Sequence, residues 1–277
     1  MLNLARVSRA VLAGIPFVLH AVAVAQLEKD PAASRATPRA STPIALPYTP
    51  AKRPDGRHVV ALDIGHTVAQ HGSTSARGEA EFSFNQRVVR LLAARLEKSS
   101  VVFPFVINPE GSKISLLDRA KIAAQQGAEL FLSIHHDSAN DKYLQSWEPN
   151  GDGRKQQYSD LFRGYGVFIS KKNRQADRSL QFASALGGAM KSRGFTFASH
   201  HSEPIPGENR PILDPARGVY QYDDLIVLKN APMPAALLEC GVIINRDEEL
   251  ELKKPEMQAR IVDAAASTIE VFFKAGP

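Results

Sequence analysis

Three short apolar runs each end in residues that can bind a metal ion or transfer protons. The runs lead into Asp63 to His66, into His135 to Asp137, and into Glu239. If the runs are neighbouring parallel strands, these side chains meet at one edge of the sheet, because ligands in open α/β sheets bind outside the carboxyl ends of the strands. Two histidines and one carboxylate form the usual ligand set of a catalytic zinc ion. A further glutamate that is not a ligand can transfer protons, so the residues indicate metal-assisted hydrolysis.

The carboxylate ligand has two candidates in the segment Gly78-Glu79-Ala80-Glu81. Both glutamates stand at the start of a predicted helix, and composition alone leaves the choice open. Cys240 is the single cysteine, so neither an internal disulfide framework nor a cysteine-based zinc cluster can form within one chain. We therefore expect histidine and carboxylate side chains to hold the metal ion, and Cys240 to be a small buried hydrophobe.

Nearly continuous apolar runs predict buried strands in a sheet that is covered on both faces. The strongest runs are 59–62, 130–134 and 235–238, and the weaker candidates are 101–107, 167–170 and 225–228. Helical spacing of apolar residues and capping signals predict helices over about 81–98, 115–127 and 175–194, and from 255 onwards. This alternation predicts a single α/β domain with a largely parallel or mixed twisted sheet flanked by helices.

Residues 1–25 have the three parts of a secretory signal peptide. Arg6 and Arg9 form the basic region, an apolar run covers 11–24, and residues 23–25 are a small-residue cleavage site. Pro16 interrupts the run, which is shorter than the ~20 apolar residues that span a bilayer. We expect an exported chain with no membrane span after cleavage. The expected location is the periplasm, and the outer milieu is the alternative.

Residues 26–57 are rich in proline and poor in large apolar side chains, which predicts a flexible leader. Residues 58–277 remain for the catalytic domain. The hydrophobic content of 44% and the formal net charge of +5 are ordinary for a globular protein. Export and the absence of a basic, aromatic-interleaved motif argue against a nucleic-acid partner.

Four ordered segments carry a resemblance to a known family. They are Asp63-Ile64-Gly65-His66; Gly78, Glu81 and Asn85; Arg119-Ala120 with Ser133-Ile134-His135; and Leu237-Leu238-Glu239-Cys240-Gly241 with residues 245–249. These segments resemble, in order, the motifs of the zinc-dependent N-acetylmuramoyl-L-alanine amidases of the type-3 catalytic domain. Each motif alone is weak, but the resemblance extends over residues 58–273.

The resemblance implies Zn²⁺ ligands at His66, Glu81 and His135, with Glu239 as the catalytic acid and base. The Gly-x-x-Glu spacing, with Asn85 one helical turn further along the same face, favours Glu81 over Glu79. It also implies hydrolysis of the amide bond between N-acetylmuramic acid and L-alanine in peptidoglycan, in cell-wall remodelling or septum splitting.

The sequence also departs from the family pattern. Ile64 and Thr67 replace the usual Pro and Gly of the first motif, and His136 replaces the usual Ala. His136, Asp137 and Asn85 are candidates for substrate contact, and His136 is equally compatible with a surface role or a role behind the ligands. Residues 141–165 look inserted. In some relatives a helix inserted here blocks the zinc site until an activator protein removes it, whereas here a surface loop is an equal alternative.

Several alternatives stay open at this stage. Glu239 could instead form an ion pair with an arginine such as Arg119. His200 and His201, in a Ser, Pro and Gly-containing stretch, are predicted to be an exposed loop pair. Another exported zinc peptidase or deacetylase of wall material, or a catalytically silent wall-binding protein, would share much of this sequence. Nothing in the sequence predicts an oligomeric state.

Overall fold

The computed structural model describes Arg53 and residues 55–275. The predicted signal peptide, and the predicted leader apart from Arg53 and residues 55–57, lie outside the described residues. Within them the chain forms nine strands: β1 His58–Ile64, β2 Val102–Ile107, β3 Leu130–Asp137, β4 Gln145–Trp147, β5 Gln156–Tyr158, β6 Gly166–Ile169, β7 Ile212–Asp214, β8 Val219–Gln221 and β9 Ala235–Val242.

Seven of these strands form one mixed sheet in the order β2-β1-β3-β9-β6-β8-β7. The first four strands of that order are parallel to one another. β6 is antiparallel to β9 and parallel to β8, and β7 closes the edge antiparallel to β8. The predicted largely parallel or mixed α/β sheet is confirmed.

Six helices accompany the sheet in the described residues: α1 Glu81–Leu96, α2 Leu116–Gln125, α3 Ala176–Ser192, α4 Ile226–Asn230, α5 Arg246–Lys253 and α6 Pro255–Lys274. Val60 and Leu62 of β1 belong to the same buried cluster as apolar residues of α1, α3 and α6. Val59 and Ala61, which alternate with them along the strand, pack with residues of α2 and α4 on the other face. This two-sided burial explains why the central strands are apolar at nearly every position.

The four predicted helices form, and their ends follow local chemistry. Ser115 accepts a hydrogen bond from the backbone N–H of Asp118 and so caps α2. Gly127, just beyond α2, has a φ of 71°, the left-handed conformation that commonly ends a helix. α6 begins at Pro255, where a missing backbone N–H costs no helical hydrogen bond.

The predicted strand at 225–228 is wrong, because residues 226–230 form the helix α4. A short apolar run without alternation fits a buried helical turn as well as a strand, and Val227 and Leu228 are buried in this turn. The sequence also did not predict α5, which is rich in charged residues and begins after Asn245. The Asn245 side chain accepts hydrogen bonds from the backbone N–H groups of Asp247 and Glu248.

Residues 141–165 do not contain a long helix. They form a single 3₁₀ turn at Asp141–Tyr143 and the antiparallel pair β4 and β5. The Trp147 indole N–H donates to the Ala76 carbonyl at 2.9 Å, which docks this hairpin on the segment that precedes α1. Of the residues described, no helix is both long and apolar enough to cross a bilayer.

Candidate active site

His66, Glu81 and His135 converge at the carboxyl edge of the sheet, and we call them the ligand cluster. They come from the segment after β1, the first turn of α1 and the end of β3. His66 Nε2 lies 3.0 Å from Glu81 Oε2, and His135 Nδ1 lies 3.0 Å from Glu81 Oε1. Ligands that surround one zinc ion tetrahedrally at 2.0–2.2 Å are roughly 3.3 Å apart, so these spacings fit a shared cation.

Glu81, and not Glu79, faces the two histidines. Glu79 forms ion pairs with Arg87 at 2.6 Å and Lys253 at 2.9 Å, and its side chain is 29% exposed. Glu81 is 1% exposed and its Oε2 also accepts the backbone N–H of Ser73 at 2.9 Å. The two glutamates point to different neighbours, and only Glu81 points to the histidines of the ligand cluster.

The backbone around His66 is held in an unusual conformation. His66 has a φ of 68°, a region that residues with a Cβ atom seldom adopt. Arg119 binds this segment from α2, because its guanidinium donates to the carbonyls of Ile64 and His66, each at 2.6 Å. The same guanidinium pairs with Asp63 at 2.6 Å, and Ser133 donates to the other Asp63 oxygen. Arg119 is therefore committed to Asp63 and does not form the ion pair with Glu239 that the sequence left open.

Two glycines allow close packing around the ligand cluster. A Cβ atom on Gly65 would overlap the ring of His135. A Cβ atom on Gly72 would overlap both Glu81 and His66, and the φ of 77° at Gly72 also favours glycine. The close approach of the backbone to all three side chains leaves no room for larger residues at either position.

The electrostatics of the cluster favour an anionic Glu81 and a neutral His135. Burial alone would raise the pKa of Glu81, but His66 and His135 outweigh it and hold that pKa well below its usual range. Burial lowers the pKa of His135, which favours the neutral ring. An ionised carboxylate and neutral imidazole are the forms that ligate a metal.

Asn85 and His136 are buried beside the ligands and contact each other. The Asn85 amide nitrogen donates to Glu81 Oε1 at 3.1 Å and to the Gly65 carbonyl, while its oxygen faces His136 Nδ1 at 2.8 Å. Asn85 is 0% and His136 1% exposed, and burial lowers the pKa of His136 to about 3. Substrate contact at these two positions stays a prediction, and both side chains are buried among protein groups.

Glu239 stands next to the ligand cluster on the neighbouring strand. It is the register partner of His135 in the pairing of β3 with β9, so both side chains emerge on the same face. Within the described residues, Glu239 Oε2 is buried without a hydrogen-bond partner. Burial, followed by the negative charges of Asp137 and Glu81, raises the pKa of Glu239 well above its usual range. An unpaired buried carboxyl group is costly in a structural role and typical of a functional one.

Asp137, a predicted substrate contact, lies against His200 and His201. Its Oδ2 lies 2.9 Å from His200 Nε2 and 3.0 Å from His201 Nε2. The predicted exposed loop pair at these histidines is wrong, since they are 2% and 1% exposed. The adjacent His-His pair was visible in the sequence, but its partner lies over 60 positions away and no local pattern links them.

The donor atoms of the ligand cluster and the unpaired Glu239 fit a bound metal ion. Nitrogen, nitrogen and carboxylate oxygen donors suit a zinc-like cation, and the partnerless Glu239 Oε2 supplies a proton acceptor beside them. A ligand cluster and a proton acceptor at the carboxyl edge of a mixed α/β sheet are the features expected of a metal-dependent hydrolase.

Comparison with known sequences identifies the family. The sequence model described as N-acetylmuramoyl-L-alanine amidase matches residues 60–271, so the chain belongs to that family, whose members are metal-dependent amidases. The chain is 26% identical over 256 residues to the amidase AmiA of Escherichia coli, covering 80% of this chain and 78% of that protein. It is also 26% identical over 225 residues to the probable amidase AmiB of Haemophilus influenzae, covering 73% of this chain and 49% of that protein.

Solved structures share the fold. An N-acetylmuramoyl-L-alanine amidase of Clostridium difficile 630 aligns with a TM-score of 0.60 at 21% identity, covering 80% of this chain and 99% of that one. The amidase Ami1 of Mycobacterium smegmatis aligns with a TM-score of 0.62 at 21% identity, covering 79% and 97%.

Proposed function

We propose that this chain hydrolyses the amide bond between N-acetylmuramic acid and L-alanine in peptidoglycan, with Zn²⁺ held by His66, Glu81 and His135. The observation that carries the proposal is the ligand cluster beside a buried, unpartnered Glu239. Membership of the amidase family supports the bond that is cleaved, and the donor set supports zinc.

In this proposal, the bound zinc ion supplies Lewis-acid polarisation of the carbonyl and lowers the pKa of water. Glu239 accepts the proton of the attacking water and delivers it to the leaving amine of L-alanine. Its raised pKa makes Glu239 a stronger base than an ordinary carboxylate, which suits acceptance of the proton and its retention until transfer to the amine. Asn85 holds Glu81 in place and Arg119 holds the His66 backbone, so both act as positioning residues.

Glu239→Gln tests the role of the proton carrier. The variant should retain bound zinc, because Glu239 is not a ligand, and should lose hydrolysis of purified sacculi by about 10²-fold or more. Glu256→Gln, at an exposed position of α6, is the matched control and should leave both readouts unchanged. Normal digestion by Glu239→Gln would refute its assignment.

Chelation and product analysis test the metal and the bond. Removal of metal should abolish activity and added Zn²⁺ should restore it, whereas an unaffected enzyme would remove the metal from the proposal. Mass analysis should find intact stem peptides beginning with L-alanine. Products cut within the stem, or released acetate, would instead indicate a peptidase or a deacetylase, and zinc content without turnover would indicate a silent wall-binding protein.

We also propose that residues 1–25 direct export to the periplasm, that 26–57 form a leader, and that 58–277 form the catalytic domain. Sequencing the amino terminus of the mature protein tests the cleavage site, and a start well away from residue 26 would refute it. Residues 141–165 are the candidate contact for an activator protein. The amidase CwlD of Clostridioides difficile, which shares the fold at 19% identity and a TM-score of 0.59, forms a complex with the GerS lipoprotein.

A further inference from the structure

Asp137, His200 and His201 form a second group of potential ligands, which we call the second cluster. Its three donor atoms lie within 4.8 Å of one another, and all three residues are buried. Two imidazole nitrogens and one carboxylate oxygen are the same donor set as in the ligand cluster. The family resemblance assigns no role to His200 or His201.

The contacts within the second cluster have ion-pair distances but poor hydrogen-bond alignment. Asp137 Oδ2 lies 2.9–3.0 Å from both imidazole Nε2 atoms, yet Asp137 Oδ2 and His201 Nε2 have no hydrogen-bond partner in the part of the chain that the structure describes. Donor atoms that approach one another closely without hydrogen-bond geometry are typical of ligands that surround a shared cation.

The far side of His201 has the support that metal-binding histidines usually have. His201 Nδ1 lies 3.3 Å from Glu208 Oε2, and Glu208 is itself buried. A carboxylate that accepts the second ring N–H of a ligating histidine fixes the tautomer and leaves Nε2 free to bind metal. The tautomer protonated at Nδ1 is the one that would direct the lone pair of His201 Nε2 towards Asp137.

The second cluster is also held rigidly. The Tyr220 hydroxyl donates to the Ala198 carbonyl at 2.6 Å, and the Arg210 backbone N–H donates to the His201 carbonyl at 2.7 Å. The ring of His201 packs edge-on against Phe168, with centroids 4.8 Å apart. These contacts fix the segment on both sides of the two histidines, so the donor atoms are pre-positioned.

Buried carboxyl groups surround the second cluster. Asp137, Glu208, Glu239 and Glu81 are all buried. In the described chain, none of the four forms an ion pair with lysine or arginine, and their only charged neighbours in such pairs are histidines. Buried Asp137 and Glu208 need a compensating positive charge, which either a divalent cation or a protonated His201 would supply.

Glu239 lies between the two clusters. On one side its register partner is His135 on β3, and on the other side it is Gly166 on β6. A Cβ atom on Gly166 would lie 3.4 Å from His201 Nε2, so the second cluster reaches over the sheet position next to Glu239. The glycine leaves room for this approach.

We propose that Asp137, His200 and His201 bind a second divalent transition-metal ion of the zinc type, on the opposite side of Glu239 from the ligand cluster, with Glu208 orienting His201. The inference concerns metal binding and does not depend on the amide bond that is cleaved.

Metal stoichiometry of the full chain tests the proposal. Protein stripped with a chelator is loaded with Zn²⁺, dialysed against metal-free buffer and measured by plasma mass spectrometry. The wild type should bind about two zinc ions per chain, His200→Asn about one, Glu81→Gln about one, and the double variant none. His58→Gln, at the amino end of β1 and away from both clusters, is the histidine control. It should bind about two zinc ions per chain.

Anomalous scattering at the zinc edge from wild-type crystals gives a second measurement that does not depend on any variant folding. A peak between Asp137, His200 and His201 supports the proposal. A zinc count in folded His200→Asn that equals the wild-type count would overturn it. The cluster would then be an ion pair of Asp137 with protonated His201. Loss of the Glu81-dependent ion alone would contradict the proposed function without affecting the second site.

Discussion

Arg119→Met tests whether the buried ion pair with Asp63 positions the segment that carries His66. The change removes the pairing at 2.6 Å and the two hydrogen bonds to the carbonyls of Ile64 and His66. Arg119 is 2% and Asp63 1% exposed, so the remaining carboxylate would stay buried with only the Ser133 hydroxyl as partner. Removing one member of a buried ion pair costs about 3–5 kcal/mol. Arg119→Lys keeps the charge but not the forked geometry, and should lose about 1–2 kcal/mol.

The assay is urea unfolding followed by circular dichroism on chelated protein, so that metal binding does not contribute to the measured stability. Zinc affinity is then measured on the folded variants and should fall, because the His66 backbone has lost its support. Arg119→Met combined with Asp63→Asn should recover at least about 1 kcal/mol relative to the sum of the single changes. A loss of less than about 1 kcal/mol for Arg119→Met, or strict additivity, would refute the reasoning.

Three further outcomes are expected. Burial, and after it the charges of Glu239 and Glu81, raises the pKa of the Cys240 thiol well above its usual range. A thiol reagent should therefore label Cys240 only in denaturant. Rapid labelling of the native protein would contradict this. Trp147→Ala removes the hydrogen bond from the indole N–H to the Ala76 carbonyl. Amide hydrogen exchange should become faster in residues 145–158 and stay the same in β1. Unchanged exchange in 145–158 would show that other contacts dock the hairpin. Burial and the charge of Asp214 raise the pKa of Tyr165 to about 12, whereas the pKa in the unfolded chain is about 10. The contribution of Tyr165 to the free energy of unfolding is therefore complete below about pH 10 and is lost as the pH rises towards 12. The stability difference between wild type and Tyr165→Phe, about 1 kcal/mol at pH 8, should therefore shrink between pH 10 and 12, and a constant difference would refute the shift.

Much of the fold could be predicted because buried strands and helix faces have a recognisable apolar pattern in the sequence. β1, β3 and β9 are covered on both faces and are therefore apolar at nearly every position, while α1 and α6 show one apolar face. β7 and β8 have only three residues each, which is too short for a periodic signal. The segment 226–230 is apolar in either conformation, and tertiary packing decides that it is helical.

The candidate site was predictable only where strand ends and motifs coincide. His66, His135 and Glu239 each follow an apolar run, so their shared edge can be inferred from strand direction. The burial of His200 depends on Asp137, which is distant in sequence and approaches only through the folded sheet. Likewise, sequence alone could not show that Asn85 is enclosed by its neighbours, because that enclosure requires β3 to pack beside α1.

Because β6 runs opposite to β9, the chain enters β6 at the same sheet edge at which β9 ends. The segment over 193–211 also reaches this edge, because His200 and His201 within it contact Asp137 at the end of β3. The edge is therefore built from two kinds of segment: short strand ends, and the long connections over 138–165 and 193–211. Connections of this kind can change in length and composition without shifting strand register. The fold thus separates the strand ends that carry the candidate catalytic groups from connections that can change without disturbing them.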